Sequence, residues 1–237
     1  MRLPPEVVEE AKEMVKKVNG DYPELEDDVE AALRSGYVEN ITLMDASILL
    51  KYQDSLCLKC GECCRRNTPI RVTLRELRAI ARYMNTSLEK LLAGFRLKAR
   101  RDGLFDMEGK PCPFLRGNIC MIYPVRPDVC REFPAGFILY QIKTCIAAGR
   151  KEEIKLPAYC GVVKEIVAQK LAAAILMTRL KRENPEAYKL IAEQIRKLIP
   201  KDLDKLSFEE HFKQVMMIIE KINRQNDRIG VQHEAST

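Results

Sequence analysis

The sequence lacks several features that would assign a function at once. Trp is absent, and two histidines, His211 and His233, lie far along the chain. Because they fit no zinc-finger spacing, a metal site in this chain is expected to use sulfur ligands alone. The longest apolar run, LAAAILM at 171–177, is far shorter than the ~18 residues that a membrane span needs. We therefore expect no membrane partner.

Signature motifs of several enzyme classes are also missing. The chain contains no G-x-x-x-x-G-K-[ST], G-x-G-x-x-G, H-E-x-x-H or G-x-S-x-G, and no C-x3-C-x2-C of radical S-adenosylmethionine enzymes. Whether the protein is an enzyme is therefore left open. The opening residues MRLPPEVVEEAKEMVKK carry charges throughout and no apolar signal-peptide core, which predicts a soluble cytoplasmic protein.

Charge is distributed unevenly along the chain. Residues 1–64 carry 7 Lys/Arg against 14 Asp/Glu, whereas residues 65–101 carry 11 against 2. Either the acidic lead neutralises the basic block within the fold, or the block faces an acidic protein or RNA. The arginines of the block that recur at helical spacing are Arg71, Arg75, Arg78 and Arg82. They predict one arginine-rich helix face.

The apolar periodicity predicts a mainly α fold with a small, irregular α+β cysteine-rich module pinned by metal. The predicted regions are an N-terminal helical region at 1–53, a cysteine-cluster domain at 54–160 with a helical insert at 73–95, a C-terminal helical region at 161–225 and a flexible tail at 226–237. The N-terminal helices are expected to stop near Gly20, to cover Glu24–Leu33 and to include ITLMDASILLKYQ.

Capping signals locate the later elements more closely. Two pairs in the insert have the capping-box spacing and predict helices at 74–84 and 87–94. The pairs are Thr73 with Glu76 and Thr86 with Glu89. The stretch RLKARRDGLFDMEGKPCPFL predicts a hairpin with its turn near Glu108-Gly109, and RPDVCREF predicts a short helix opened by its proline. Further helices are predicted at 161–182, after Asn184-Pro185, and after a capping box of Ser207 and Glu210.

Four cysteines crowd into the stretch LCLKCGECCRR, residues 56–66. They are Cys57, Cys60, Cys63 and Cys64. Two-residue gaps let successive sulfurs turn towards one centre, and thiolates are ligands of both zinc and iron–sulfur clusters. The run resembles the C-x2-C-x2-C of bacterial ferredoxins, with Gly61 where a tight turn is required. Adjacent cysteines point different ways in most backbones, so Cys63 and Cys64 serve different metals or one is a spare thiol.

Five more cysteines follow, and three interpretations compete for the set of nine. The later cysteines are Cys112, Cys120, Cys130, Cys145 and Cys160. The first eight favour one cluster with spares or two four-ligand metal sites, since crowded cytosolic thiols are more often metal ligands than disulfides. A disulfide set would leave one thiol unpaired. For Cys160, a buried and inert thiol is as good an interpretation as a ligand.

The cysteine motifs resemble a known family. LCLKCGECCRR, followed by CPFL and then CMIYPVRPDVCREFP, resembles the CxxCxxCC family, described as a zinc- or iron-chelating domain, and the pattern also occurs in flagellin lysine N-methylases. The resemblance covers roughly residues 54–150. It implies metal or iron–sulfur binding through Cys57, Cys60, Cys63, Cys64, Cys112, Cys120, Cys130 and Cys145. It implies no single reaction.

Together these observations favour an iron–sulfur protein, of the 4Fe-4S kind, that transfers electrons to a redox partner or supports a modification such as lysine methylation. The alternative is a zinc-stabilised binding module whose basic face at 65–101 meets an acidic protein or RNA. Arg126 and Arg131 flank Cys130 and would favour its thiolate or form ordinary ion pairs, for example with Asp128. Tyr123 and Tyr140 offer hydroxyl groups to a site or pack as aromatic residues.

Overall fold

The computed structural model describes residues 3–38, 42–66, 69–95, 97–148, 154–198, 207, 209–210, 212–218 and 220. Both histidines and the predicted tail at 226–237 lie outside these residues. The described chain divides into two units. The first comprises residues up to Leu49, Ile138–Lys155 and residues from Glu165 onward, and the second comprises Leu50–Phe137 and Leu156–Lys164. The boundaries expected at 53/54 and 160/161 stay a prediction.

The fold is mainly helical with small antiparallel sheets, as predicted. The helices are α1 (Pro5–Asn19), α2 (Leu25–Arg34), α3 (Leu43–Leu56), α4 (Glu62–Arg66), α5 (Leu74–Tyr83), α6 (Leu88–Gly94), α7 (Asp128–Arg131), α8 (Ala135–Ala147), α9 (Gly161–Glu183) and α10 (Pro185–Leu198). The strands are β1 (Ile70–Val72), β2 (Leu97–Ala99), β3 (Phe105–Met107), β4 (Leu115–Arg116) and β5 (Ile119–Cys120). None of the helices in the described ranges is long and apolar enough to cross a membrane.

The first unit is built from amphipathic helices whose ends match the sequence signals. Pro5 opens α1, and Gly20 ends it with a φ of +71°. A buried carboxylate then joins two of the helices. Asp28 is almost fully buried and accepts a hydrogen bond of 3.1 Å from the Tyr22 hydroxyl and another from Arg182 of α9. Burial, reinforced by the Asp28 carboxylate, raises the pKa of Tyr22 to about 12.

The C-terminal helices begin where the sequence predicts. The side chain of Asn184 accepts a hydrogen bond of 3.0 Å from the amide of Ala187, which caps α10. Ser207 and Glu210 form the predicted reciprocal capping box, in which the Glu210 amide donates to the Ser207 hydroxyl at 3.3 Å. Both predictions of a helix start are therefore confirmed.

A three-stranded antiparallel sheet in the order β1-β3-β2 lies in the second unit. The predicted hairpin is present as β2 and β3. The prediction that its turn lies near Glu108-Gly109 is wrong. The chain turns at 100–104, where the Arg100 amide donates to the Leu104 carbonyl at 2.8 Å. Gly103 supplies a φ of +78°, and the Asp102 carboxylate accepts the Leu104 amide at 3.2 Å. This local Asp-Gly geometry closes the hairpin earlier than predicted.

The helical insert confirms one predicted cap and corrects another. Thr73 and Glu76 form the predicted capping box at the start of α5. The cap of α6 is Ser87, which accepts from the Lys90 amide at 3.2 Å, and not Thr86. The Thr86 amide instead donates to the Ala81 carbonyl at 3.0 Å, and this bond belongs to the C-terminal end of α5.

Arg71 does not belong to the predicted arginine-rich helix face. It lies in β1, and its guanidinium is 3.9 Å from the Asp106 carboxylate on the neighbouring strand β3. The strand pairing places Arg71 directly opposite Asp106, which the helical spacing of the arginines could not reveal. The arginine face of α5 therefore consists of Arg75, Arg78 and Arg82.

The core of the second unit ends against cysteine side chains. Its buried members are Ile70, Val72, Leu77, Ile80, Ala81, Leu91, Met107, Cys112, Phe114 and Ile122. Cys64, Cys120 and Cys130 are partly buried and pack against this cluster. The rings of Phe95 and Phe114 stack with their centroids 4.4 Å apart. The sheet, α5 and α6 thus provide a fixed apolar wall behind the thiols.

Candidate metal centre

The cysteine quartet begins where α3 ends and depends on a glycine. Cys57 comes directly after α3, and Gly61 turns the chain into α4, which carries Cys63 and Cys64. Gly61 has a φ of +75°. A Cβ at this position would lie 2.9 Å from the carbonyl oxygen of Asn118. Only glycine therefore meets both demands, a left-handed backbone and the close approach of another segment.

Arg65 fastens α4 to the turn between β4 and β5. Its guanidinium donates to the carbonyl oxygens of Cys60 at 3.0 Å and Gly117 at 3.1 Å. It also bonds to the Asn118 side chain and pairs with Glu62 at 2.7 Å. These bonds use donors on both terminal nitrogens of the guanidinium, so Arg65 has a structural role beside the cysteines.

Backbone hydrogen bonds bring the later cysteines to the quartet. The amide of Cys112 donates to the carbonyl oxygen of Cys64 at 2.7 Å. Strand β5 then places Cys120 opposite Leu115 of β4. Because the Leu115 amide bonds to the Cys112 carbonyl at 3.0 Å, all three segments are held in one small framework.

Four thiols in this framework form a group in which Cys64 is hydrogen-bonded to the other three. They are Cys63, Cys64, Cys112 and Cys120, and they are called the four-thiol cluster below. Hydrogen bonds to its three neighbours, foremost Cys112, raise the pKa of Cys64 far above its usual range. The hydrogen bond from Cys64 lowers the pKa of Cys63 to about 7 and that of Cys120 to about 6. It also lowers the pKa of Cys112. The cluster therefore combines one thiol whose pKa is raised with three whose pKa values are lowered.

Cys130 lies beside the four-thiol cluster, in more apolar surroundings. It belongs to α7, whose first amide, that of Asp128, donates to the Glu76 carboxylate at 2.7 Å. Burial raises the pKa of Cys130, and negative charge on neighbouring thiols, Cys112 first, raises it further. A metal cation would be needed to favour its thiolate.

A buried glutamine holds the segment that follows Cys130. The Gln53 side chain donates to the Arg131 carbonyl at 2.9 Å and accepts from the Ala135 amide at 3.3 Å. Only 6% of Gln53 is exposed. Sequence reasoning missed this residue, because a glutamine near the end of a helix gives no signal of its long-range partners.

Arg126 forms an ordinary ion pair, in agreement with the simpler of its two interpretations. It bonds to Asp54, and its guanidinium lies 3.9 Å from the centroid of the Tyr123 ring. The pKa of Cys120 is lowered mainly by its hydrogen bond with Cys64, and the positive charge of Arg126 lowers it further. The Tyr123 hydroxyl is hydrogen-bonded to Cys57, and burial, followed by this bond, raises the pKa of Tyr123.

Arg131 and Tyr140 take no part in the contacts of the four-thiol cluster. The Arg131 guanidinium lies 4.0 Å from Asp128, a loose and largely exposed pair. Tyr140 is exposed on α8, in the first unit. Cys145 belongs to the same helix and to the first unit, so it is not among the second unit's cysteines. Its assignment as a ligand stays a prediction.

Cys160 lies against the quartet segment, although the sequence left its role open. The ring of its neighbour Tyr159 is 5.2 Å from the Arg66 guanidinium. A Cβ at Gly161, on its other side, would lie 2.6 Å from Leu58. Cys160 is half-buried, and burial raises its pKa. No sequence signal separates Cys160 from Cys145, because neither lies in a short-spacing motif.

Comparison with known families gives one match, which covers the cysteine motifs of the second unit. Residues 56–161 match the model of the CxxCxxCC family, described as "Putative zinc- or iron-chelating domain". The match is a little under half of the 237 residues and reaches just past Cys160. The resemblance seen in the cysteine motifs is confirmed, and metal binding is the activity that the domain supports. No curated protein and no solved structure matches the chain.

The chemistry of the donors suits a thiophilic metal, whereas their arrangement is that of hydrogen-bonded thiols. Within the described ranges, no three His, Cys, Asp or Glu side chains stand in positions that could hold a metal ion as they are. The four thiols are nevertheless neighbours, and the pKa values of Cys63, Cys112 and Cys120 are lowered. Zinc and iron–sulfur clusters both take four thiolates.

Proposed function

We propose that the four-thiol cluster binds an iron–sulfur cluster of the 4Fe-4S kind and that the protein transfers electrons. The observation that carries this proposal is that Cys64 is hydrogen-bonded to Cys63, Cys112 and Cys120, so that thiols from three separate segments meet. A bound iron–sulfur cluster supplies one-electron transfer. Cys57, Cys60, Cys130 and Cys160 are candidates for a further or alternative ligand.

Two features support iron–sulfur binding over a structural zinc site. A structural zinc site closes at four ligands, whereas Cys130 packs beside the four-thiol cluster as a fifth thiol. The spacing of Cys57, Cys60 and Cys63 also matches the opening of ferredoxin motifs. Phe114 is buried next to Cys112 in the core and excludes water from one side of the thiols. The half-buried thiols on the other side leave a route to a redox partner.

The residues of the chain would prepare the site in defined ways. Cys64 must lose its proton on binding, while the lowered pKa values of Cys63 and Cys120 favour their thiolates at neutral pH. Arg126 supplies positive charge next to Cys120 and is held in place by Asp54. Free thiols persist in a reducing compartment, which suits the cytoplasm. An extension to lysine methylation has only the resemblance to flagellin lysine N-methylases in its favour.

A zinc-stabilised module is the second candidate, and one observation favours it. Sulfur ligands of one tetrahedral zinc lie about 3.8 Å apart, a separation that follows from zinc–sulfur bonds of about 2.3 Å. A compact group in which Cys64 is hydrogen-bonded to the other three thiols suits this spacing, whereas a multi-iron cluster would spread its ligands further. In this case the metal would hold α4, β4 and β5 together without redox chemistry.

An elemental and spectroscopic measurement on protein purified without oxygen distinguishes the two candidates. Iron with equal acid-labile sulfide and broad absorption near ~400 nm supports the iron–sulfur proposal. Stoichiometric zinc in colourless protein contradicts it and supports the structural module. Protein without either metal, with cysteines paired as disulfides, contradicts both.

A further inference from the structure

The outer face of α5 carries a stripe of cations. Arg75, Arg78 and Arg82 are exposed and lie within about 60° of one another around the helix, given 100° per residue. Arg75 and Arg82 are about 10 Å apart along the axis, at about 1.5 Å per residue. The three guanidinium groups therefore form one continuous line, called the arginine stripe below.

The stripe sits on a rigid support. The opposite face of α5 buries Leu77, Ile80 and Ala81 in the core of the second unit. The capping box of Thr73 and Glu76 fixes the first turn. The arginines are therefore presented on a helix whose position and rotation are set by packing, which lowers the entropic cost of binding a partner.

Little within the second unit neutralises the stripe. Among the residues that the structure describes, the side chains of Arg78 and Arg82 have no ion-pair or hydrogen-bond partner. Arg75 lies 3.7 Å from Asp128, and both side chains are largely exposed, so the pair is weak. The residues of the second unit carry 18 Lys/Arg against 9 Asp/Glu. Within this unit the positive charge of the helix face is therefore in excess.

We propose that the arginine stripe binds the phosphate backbone of a single-stranded nucleic acid, such as RNA. Guanidinium groups pair bidentately with phosphates, and the excess charge spread over the unit suits an extended polyanion. Tyr83 follows Arg82 at the end of α5 and is 49% exposed, so its ring is available for stacking on a base. This activity is separate from metal binding and would make the protein a metal-containing nucleic-acid-binding protein.

Fluorescence anisotropy of the full-length, metal-loaded protein tests the proposal. The probes are fluorescein-labelled oligouridylate and oligothymidylate of about 20 nucleotides, longer than one such binding site. The test variant is R75Q/R78Q/R82Q, since glutamine keeps the helix propensity while it removes the charge. The matched control, K189Q/R196Q/K197Q, removes the same charge from exposed positions of α10 in the first unit.

The proposal predicts that both probes, or the RNA probe alone, bind at low salt. The α5 variant should bind at least about tenfold more weakly and should lower the slope of log K against log salt by about 2, because each contact to a single strand contributes about 0.7. The α10 control should stay within about twofold of the unmodified protein. Tyr83→Ala should weaken binding further than Tyr83→Phe, which keeps the stacking ring. Binding of RNA but not DNA would identify RNA as the natural source of the phosphates.

Three results would overturn the proposal. Absence of binding by either probe at low salt would mean that the stripe is only a solvated face. Equal effects of the α5 and α10 variants would mean that net charge, and not the stripe, attracts the probe. Displacement of the probe by polyglutamate of equal charge, with no effect of Tyr83→Ala, would identify an acidic protein as the partner. Unchanged circular dichroism and metal content in both variants verify that the fold is intact.

Discussion

The main-chain amide of Cys112 donates a hydrogen bond of 2.7 Å to the carbonyl oxygen of Cys64. This single bond joins two motifs that lie far apart in the sequence, and it places their thiols in one hydrogen-bonded group with Cys63 and Cys120. The backbone, and not a preformed ligand geometry, brings the four-thiol cluster together. Substitutions that disturb this backbone framework should therefore impair metal binding even when every cysteine is retained.

Gly61→Ala tests the close approach of the turn between β4 and β5 to the cysteine quartet. The new Cβ would meet the Asn118 carbonyl oxygen at 2.9 Å and would also place alanine at a φ of +75°. The matched control is Gly103→Ala, which has a φ of +78° but nothing within 4 Å. The control should lose about 1–2 kcal/mol of unfolding free energy from the backbone conformation alone.

Gly61→Ala should lose about 1–3 kcal/mol more than the control, because the hairpin must move away from α4. Urea denaturation of both variants measures the difference, and the metal-to-protein ratio should fall only for Gly61→Ala. Equal stability losses in the two variants would show that the contact with Asn118 does not constrain the site.

Gln53→Ala tests the buried support of the segment after Cys130. The substitution leaves the Arg131 carbonyl and the Ala135 amide without their partner, which should cost about 2–4 kcal/mol of unfolding free energy. Gln141 of α8 makes the same pair of bonds to the backbone of Lys155, at 2.9 Å each, in an exposed position. Gln141→Ala should therefore cost about 1 kcal/mol or less. Thermal unfolding of both variants compares them, and a larger loss for Gln141→Ala would contradict this account.

Glu76→Gln should reduce stability in a pH-dependent way. Burial alone would raise the pKa of Glu76, but hydrogen bonds from Asp128 and Thr73 outweigh it, and the pKa lies below its usual value. A carboxyl group with a lowered pKa stabilises the fold above its unfolded pKa, and this stabilisation is lost as the pH falls through the folded pKa. The unfolding free energy of the variant should be about 1–2 kcal/mol lower than that of the unmodified protein at pH 7. This difference should disappear at acidic pH.

Glu89→Gln in the first turn of α6 is the control for this comparison. Glu89 is exposed, and within the described ranges its side chain makes no contact with another segment, so its substitution should leave the unfolding free energy almost unchanged. The unfolding free energies of Glu76→Gln and the unmodified protein are compared from pH 7 down to pH 3. A difference that stays constant over this range would show that the carboxylate charge is not the source of the stabilisation.

Local sequence signals predicted most helix starts, because capping and proline effects act over a few residues. Thr73 with Glu76 and Ser207 with Glu210 behave as their spacing indicates. The cap of α6 was misplaced by one residue since Thr86 is used to end α5. That choice depends on how the chain leaves one helix, which the spacing alone does not contain.

Long-range contacts were the part of the site that the sequence could not reveal. The motifs identified the cysteines, but which thiols meet depends on the pairing of β4 with β5 and on the bond between Cys112 and Cys64. Cys145 and Cys160 look alike in the sequence, yet only Cys160 lies in the second unit. Gln53 and Arg65 gave no signal, because their partners are backbone carbonyl groups far along the chain.

The metal-to-protein ratio of single cysteine variants tests the central claim most directly. Cys64→Ser and Cys120→Ser remove members of the four-thiol cluster, whereas Cys145→Ser removes a thiol of the first unit. After purification without oxygen, the account predicts that the unmodified protein and Cys145→Ser hold the same amount of metal, and that the two cluster variants lose most of it. Full metal content in Cys64→Ser together with loss in Cys145→Ser would contradict the account.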